Sequence, residues 1–434
     1  MGALPLLLIA VALGWPLAGV LFKERSQPEK LALAWLLGAF VITWQLFIFL
    51  FWLKAGTFWW FNLIFLAEAI ILWLFLKAKI NWRDFRAASG AKPGLLDKIL
   101  LCILALVIML SFVNACGRGN IGWDSLNIWS IKAKQIYYSG RVIFDSNNPA
   151  SWQSRAYLQY PWHGSLLYVW GNELNGSYSD AVNNVINWFY YVSIIILVYG
   201  FLAIRIDRRG AAAFTLMLAS APIFYFHSFN SYSDLMLGCY AALALIFLWR
   251  AWLGSKYAFI GLSMSLVAAY TTKNEGIFAL LAASFFLLVF LTRQKKWRQL
   301  AWFVGLTGLL LAPWQIFRMV NHLGIANSTA VTAWHWDAIY QFWRTFWLNA
   351  SFNIFAWVVL AVLAFAAIKI YADKKLLVAW VYVALLFSAF LYVYISTTSY
   401  QDAVYDTTIS RNLITIFPAL VIVTALSWQK ISKK

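Results

Sequence analysis

The chain has 434 residues, of which 63% are hydrophobic and only 12% charged, with a mean hydropathy of +0.72. Those proportions exclude a soluble globule and describe an all-α polytopic membrane protein. The formal charge of +18 is carried unevenly by alternate loops, so it reads as a topology signal and nucleic acid is not expected as a partner.

Apolar runs of roughly 17 to 22 residues, long enough to cross the hydrocarbon core, recur along the whole sequence. They fall near residues 3–22, 31–52, 57–76, 97–115, 183–204, 211–226, 234–252, 257–271, 276–292, 300–318, 352–370, 376–396 and 412–428, about thirteen predicted spans. The first run has no basic n-region and no small-residue cleavage site before Lys23, which makes it a retained span rather than a signal peptide. Glu68 lies inside the third run, where a carboxylate is costly unless paired or protonated, and a structural hydrogen bond is expected for it. Beyond that run the basic segment NWRDFRAASGAKPG marks a boundary. The expected organisation is an amino-terminal three-helix annex over 1–96, a main membrane module over 97–318 that includes a long loop at 116–182, and a second loop with the last helices over 319–434. Cys102 and Cys239 fall in predicted spans and Cys116 at a helix end, a placement that makes no disulfide framework.

One set of loops holds 24 of the 34 basic residues, including the cluster from Lys77 to Lys98 and the tail Lys430, Lys433 and Lys434. Basic residues are retained in cytoplasmic loops, so this set is expected to be cytoplasmic, together with the carboxyl terminus. The opposite loops hold only ten basic residues but nine of the sixteen acids: Asp124, Asp145, Glu173, Asp180, Asp234, Glu275, Asp337, Asp402 and Asp406.

The first long outer loop opens with GWDSLNIWSIKAK, which places a single carboxylate, Asp124, beside the membrane among tryptophans. Helical spacing predicts a surface helix from about Trp123 to Tyr138, with Leu126, Trp129, Ile136 and Tyr137 apolar and Asn127, Ser130 and Lys134 on a polar face. Farther on, YPWHGSLLYVW carries His163, for which a hydrogen-bonding structural role is expected. The second long loop repeats the amphipathic pattern: Trp336, Ile339, Tyr340, Trp343, Phe346 and Trp347 share one face and Asp337, Gln341 and Arg344 the other. An aromatic belt at headgroup level explains most such residues; a rim over a lipid-fed site is the functional reading. At the outer helix ends stand Asp234 in HSFNSYSDLMLG, Lys273 and Glu275 in TTKNEG, and Arg411 in RNLITIFPAL. Any one of these could be an interfacial anchor, but several on one side together with Asp124 point to a site.

The segments WDSLNIWSIKAK, LQYPWHGSLL, SDLMLG, TTKNEG and RNLITIFPAL, in that order and on one side, resemble the polytopic glycosyltransferases of the GT-C superfamily. Within it they are most similar to the bacterial protein mannosyltransferase and aminoarabinose transferase group. The resemblance runs from about residue 97 to 420 and leaves the first three spans outside it. Relatives often carry an acidic residue just before the Tyr-Pro pair, where this chain has Gln159.

The resemblance implies a bacterial inner-membrane enzyme of cell-envelope glycan biosynthesis, its active site on the periplasmic side. The implied reaction moves a sugar from a polyprenyl-phosphate donor to a glycan, lipid or protein acceptor. By position Asp124 is the general base for the acceptor hydroxyl, a role that a carboxylate partly shielded from water can fill. The departing lipid phosphate needs cations, and Lys273, Arg411, Lys132 and Lys134 are available, with only one of the two loop lysines expected to serve because they leave opposite sides of one helix. Trp123, Trp162, His163, Glu173, Asp234 and Glu275 are the remaining candidates to line the substrate. A divalent metal bridging Asp124, Asp234 or His163 is chemically admissible, though no ligand spacing demands it. Two rival classes are a polysaccharide polymerase or ligase, which would rely more on Arg and His, and a transporter, which would place carboxylates at mid-membrane on repeated halves.

Overall fold

The structure, a computed structural model, describes residues 2–22, 27–54, 59–76, 94–142, 159–324, 334–404 and 408–432. The NWRDFRAASGAKPG boundary up to Pro93, with Lys23, Asp145, Asp406, Lys433 and Lys434, lies outside the described residues. Within them the chain is helical, with no strand. In order the helices are α1 (Ala3–Leu21), α2 (Gln27–Phe47), α3 (Trp59–Phe75), α4 (Leu95–Gly117), α5 (Ser130–Ser139), α6 (His163–Asn175), α7 (Asp180–Ala203), α8 (Arg208–Ser220) and α9 (Pro222–His227). They continue as α10 (Ser233–Trp252), α11 (Ala258–Thr272), α12 (Gly276–Arg293), α13 (Trp297–Val320), α14 (Ala338–Trp343), α15 (Phe355–Ala372), α16 (Lys374–Ser396), α17 (Tyr400–Val404) and α18 (Ile409–Ser432).

Among the described residues, ten helices are long and apolar enough to cross a membrane. The two expected spans at 57–76 and 257–271 correspond to the shorter apolar helices α3 and α11. The expected span at 211–226 is broken: α8 ends at Ser220 and a new helix starts with Pro222 in its first turn, because proline has no N–H to continue the ladder and fits where the first N–H groups are unpaired anyway.

The core is built on α10 and α18, whose surfaces are almost wholly covered by other helices. The amino-terminal helices are packed into this body. The α1–α2 crossing is close because a Cβ on Gly14 would lie 1.9 Å from the Ala34 carbonyl oxygen and one on Gly38 would lie 1.8 Å from that of Ala10. Small residues at such crossings let backbones approach where lipid offers no hydrophobic drive for association. The Trp44 indole donates to the Leu310 carbonyl at 2.8 Å, and the Tyr240 hydroxyl to that of Leu36 at 2.9 Å. Glu68 accepts from the Gln45 amide at 2.7 Å, the structural hydrogen bond expected of it.

The first long loop is helical from Trp123, with a π-helical turn over Ser125–Trp129 running into α5. One face of α5, with Lys132, Ala133 and Ile136, is buried, so the element packs into the protein as well as carrying an outer face. In the second loop Trp336, Ile339, Tyr340 and Trp343 point outward as a stripe. Phe346 departs from that face: it lies four and eight residues after Phe342 and Ala338 and joins them in the core, which is the opposite, inward face at ordinary helical spacing.

Candidate active site

Four stretches far apart in sequence meet at one end of the bundle. The first is the loop after α4. The Asn230 side-chain oxygen accepts from the Ile121 amide at 3.2 Å, and the Asn120 side-chain oxygen accepts from the Ser231 amide at 3.1 Å and hydroxyl at 2.9 Å. These bonds strap the loop to the turn before α10 and so bring Asp124 next to Asp234, in the first turn of α10. Gly122 is required at this contact, because a Cβ there would fall 2.1 Å from the ring of Tyr232.

Asp124 is ion-paired with Arg411, at the start of α18, through the same Nη2 that lies 3.5 Å from the second Asp234 oxygen. The guanidinium also sits 4.8 Å from the Tyr232 ring centroid, a cation–π position. Lys273, at the end of α11, fills all three ammonium donors: 2.9 Å to Asp234, 3.1 Å to Glu275 and 3.3 Å to the Asn412 side-chain oxygen. Asn412 is in turn held by the Tyr394 hydroxyl at 2.6 Å. Burial pushes the Lys273 ammonium down, but Asp234 and Glu275 outweigh it and hold it above the ordinary lysine range.

The result is a chain of charge, Asp124–Arg411–Asp234–Lys273–Glu275, with two cations against three carboxylates. Asp234 is fully buried, while the side chains of Asp124 and Arg411 keep 16% and 15% of their surface. Solvent or a ligand can therefore reach the Asp124–Arg411 end of the chain, and also Glu275 at the other end, whose side chain keeps 23% of its surface. Arg411 Nε, Asp234 Oδ2 and Glu275 Oε2 are buried without a hydrogen-bond partner. His227 donates Nδ1–H to the Ile223 carbonyl at 2.8 Å, which turns Nε2 toward Asp234 at 3.9 Å; burial lowers this imidazole to about 4, against the pull of Asp234, so it adds no positive charge.

Five of the residues expected from sequence, Asp124, Asp234, Lys273, Glu275 and Arg411, form this cluster. Lys132 and Trp162 adjoin it through Tyr160. The Lys132 ammonium donates to the Tyr160 carbonyl at 3.2 Å and faces the rings of Trp129, Tyr160 and Trp162 at 5.2, 5.7 and 4.8 Å. Burial holds this amine well below the ordinary lysine range. The Asn274 amide donates to the Gln159 carbonyl at 3.1 Å, which ties the TTKNEG turn to the Tyr-Pro segment. Lys134 leaves the other side of α5, 3.9 Å from Asp180. Trp123 is 60% exposed, and Glu173 is half-buried on α6, its carboxyl pushed up by burial. His163 bonds to Thr43, Tyr190 and Tyr240. Among the described residues, no three of His, Cys, Asp and Glu gather where they would hold a metal ion. Tyr160, Tyr232, His227 and Asn412 were not legible as site residues, although each stands within five residues of one that was or in a quoted motif.

The fold is similar to that of ArnT from Cupriavidus metallidurans. With the apo ArnT structure the chain shares 17% identity at a TM-score of 0.56, covering 78% of this chain and 61% of ArnT. With the ArnT structure bound to undecaprenyl phosphate the values are 17%, 0.55, 77% and 60%. The chain thus spans about three fifths of the length of the solved structures it matches. No protein-family model matches the chain, and no curated protein does. Its architecture is therefore ArnT-like on structural similarity.

Proposed function

We propose that this chain is a membrane glycosyltransferase that moves a sugar from a polyprenyl-phosphate donor to an acceptor hydroxyl on the non-cytoplasmic side. The observation that carries the reading is the Asp124–Arg411 pair, which keeps part of its surface while it is ion-linked to the buried Asp234 and Lys273. In the reaction the acceptor oxygen attacks the anomeric carbon, the bond from that carbon to the phosphate oxygen breaks, and the lipid phosphate leaves with the electron pair. The acceptor proton passes to Asp124. The departing charge is met by Arg411, whose planar fork suits phosphate oxygens, and by Lys273, which Asp234, Glu275 and Asn412 hold in place.

The pairing adds an order of events. Asp124 and a donor phosphate are both anions in reach of one guanidinium, so the phosphate competes with the base for Arg411. Donor binding draws Arg411 onto the phosphate and releases Asp124 to accept a proton. Asp124, Asp234, Lys273 and Glu275 come from the 97–318 module and Arg411 from the 319–434 module, so the site is built between them. The outward aromatic stripe Trp336, Ile339, Tyr340 and Trp343 forms a membrane-facing rim on the same side.

The test incubates detergent-purified wild type and Asp124→Asn with a panel of polyprenyl-phosphate sugars and a membrane extract as acceptor source, and follows free polyprenyl phosphate by mass spectrometry. Release by the wild type alone is expected. Equal release by the Asn variant would remove the base assignment, and no release from any donor would overturn the glycosyltransferase reading in favour of a polymerase, ligase or transporter.

A further inference from the structure

At the end of the bundle opposite the ionic cluster, an open groove of about 650 Å³ runs between the last turns of α12 and the first turns of α16. Its walls are Phe285, Phe286, Val289 and Val378, and Trp252 stacks on Phe290 at 4.6 Å to form its floor. Its mouth carries Arg293 and Lys374. A second open groove shares Trp252 and Lys374 with it and adds Lys369, Lys375 and Lys430.

Basic residues at this end are what membrane topology alone demands, so their presence is not informative. Their pairing is. Arg209 lies 3.7 Å from Asp97, Lys430 lies 2.9 Å from Asp373, and Arg250 donates to the Leu21 carbonyl over the ring of Phe22. Arg293, Lys374 and Lys375 are exposed and have no ion pair among the described residues. These three cations stand one to two helical turns from the apolar walls, of which Phe285 is exposed and Phe286, Val289 and Val378 are half-buried along membrane-spanning helices.

We propose that this groove binds an anionic phospholipid, with an acyl chain along Phe285, Val289 and Val378 and the headgroup phosphate on Arg293 and Lys374 at its mouth and on Lys375 of the adjoining groove. A cationic rim over an open apolar cleft matches the two halves of such a lipid, and among the described residues the rim cations have no ion pair. Asp373 does not oppose the headgroup, because its carboxylate is engaged by Lys430 and by the Lys375 and Leu376 amides.

The experiment titrates delipidated full-length protein in detergent with phosphatidylglycerol or phosphatidylcholine and counts retained lipid by native mass spectrometry. Phosphatidylglycerol is expected to be retained preferentially. Each cation removed should weaken it about fivefold, and the Arg293→Ala/Lys374→Ala/Lys375→Ala variant about a hundredfold. Val378→Trp, which fills the cleft and keeps the charges, should also weaken retention, whereas Lys256→Ala, a basic change elsewhere at this end, should not. Equal retention of the two lipids, wild-type retention by both variants, or displacement of phosphatidylglycerol by millimolar inorganic phosphate would overturn the proposal.

Discussion

Two buried polar clusters occupy this bundle and are built on opposite principles. Around His163 every member is neutral and every polar atom is used. The Thr43 hydroxyl donates to the Ala39 carbonyl at 2.9 Å, so His163 Nδ1–H donates to Thr43 at 2.6 Å and Nε2 accepts from Tyr190 at 2.7 Å. The ionic cluster is charged and unfinished, with buried polar atoms on Arg411, Asp234 and Glu275 that lack a hydrogen bond. In a medium that cannot solvate them, a saturated neutral network fixes helices to one another, while an unsaturated charged one favours a ligand that completes it. The contrast separates a structural node from a site without appeal to position alone.

The sharpest way to break that distinction is Asp124→Asn. Transfer should fall by about a thousandfold, within the range for a lost general base, while polyprenyl phosphate, measured by equilibrium binding, should bind more tightly because its competitor for Arg411 is gone. Weaker binding would mean that Asp124 helps to hold the donor and that the two anions do not compete. Next in size is Lys273→Ala, which leaves Asp234 buried without its nearest cation. A loss of roughly 3 to 5 kcal/mol is expected, read from thermal unfolding in detergent and partly recovered by adding Asp234→Asn. If the double variant is no more stable than the single one, the ion pair is not what holds this end together. His163→Phe tests the neutral cluster: losing the ring nitrogens that bond Thr43, Tyr190 and Tyr240 should cost about 1 to 3 kcal/mol and leave donor affinity unchanged. A changed donor affinity would tie this node to the site.

The sequence was most legible where a residue was improbable. In a chain this apolar, a charge at a helix end stands out, and the five members of the ionic cluster could be singled out for that reason. Helix number was nearly as legible, since each apolar run became a helix, and the broken one carries its cause in Pro222. Pairings were not legible. Nothing near Asp124 in sequence indicates that its partner is Arg411, 287 positions away, and Thr43 gives no sign that it meets His163 across 120. Tyr160 and Tyr232 were hidden for the opposite reason to the charges: with 26 tryptophans and 21 tyrosines, no single aromatic residue is distinctive. That Lys132 and Lys134 leave opposite sides of α5 was legible from helical spacing, but the burial of Lys132 follows from a tertiary contact with α6 that periodicity does not encode.

The smallest expected effect, Thr43→Val, makes the most selective cut between the clusters. Valine keeps the β-branched shape and removes one hydroxyl, so α2 is not expected to repack. His163 Nδ1–H then loses its acceptor, at a cost of about 1 kcal/mol, less than His163→Phe because Tyr190 and Tyr240 keep their partner. Because the hydroxyl bonds only within α2 and to His163, the change should lower the unfolding temperature while leaving kcat and KM for a polyprenyl-phosphate donor at their wild-type values. A drop in kcat with stability intact would show that α2 reaches the chemistry through His163 and the Tyr-Pro segment before it. The amino-terminal helices would then belong to the catalytic apparatus and not only to its support.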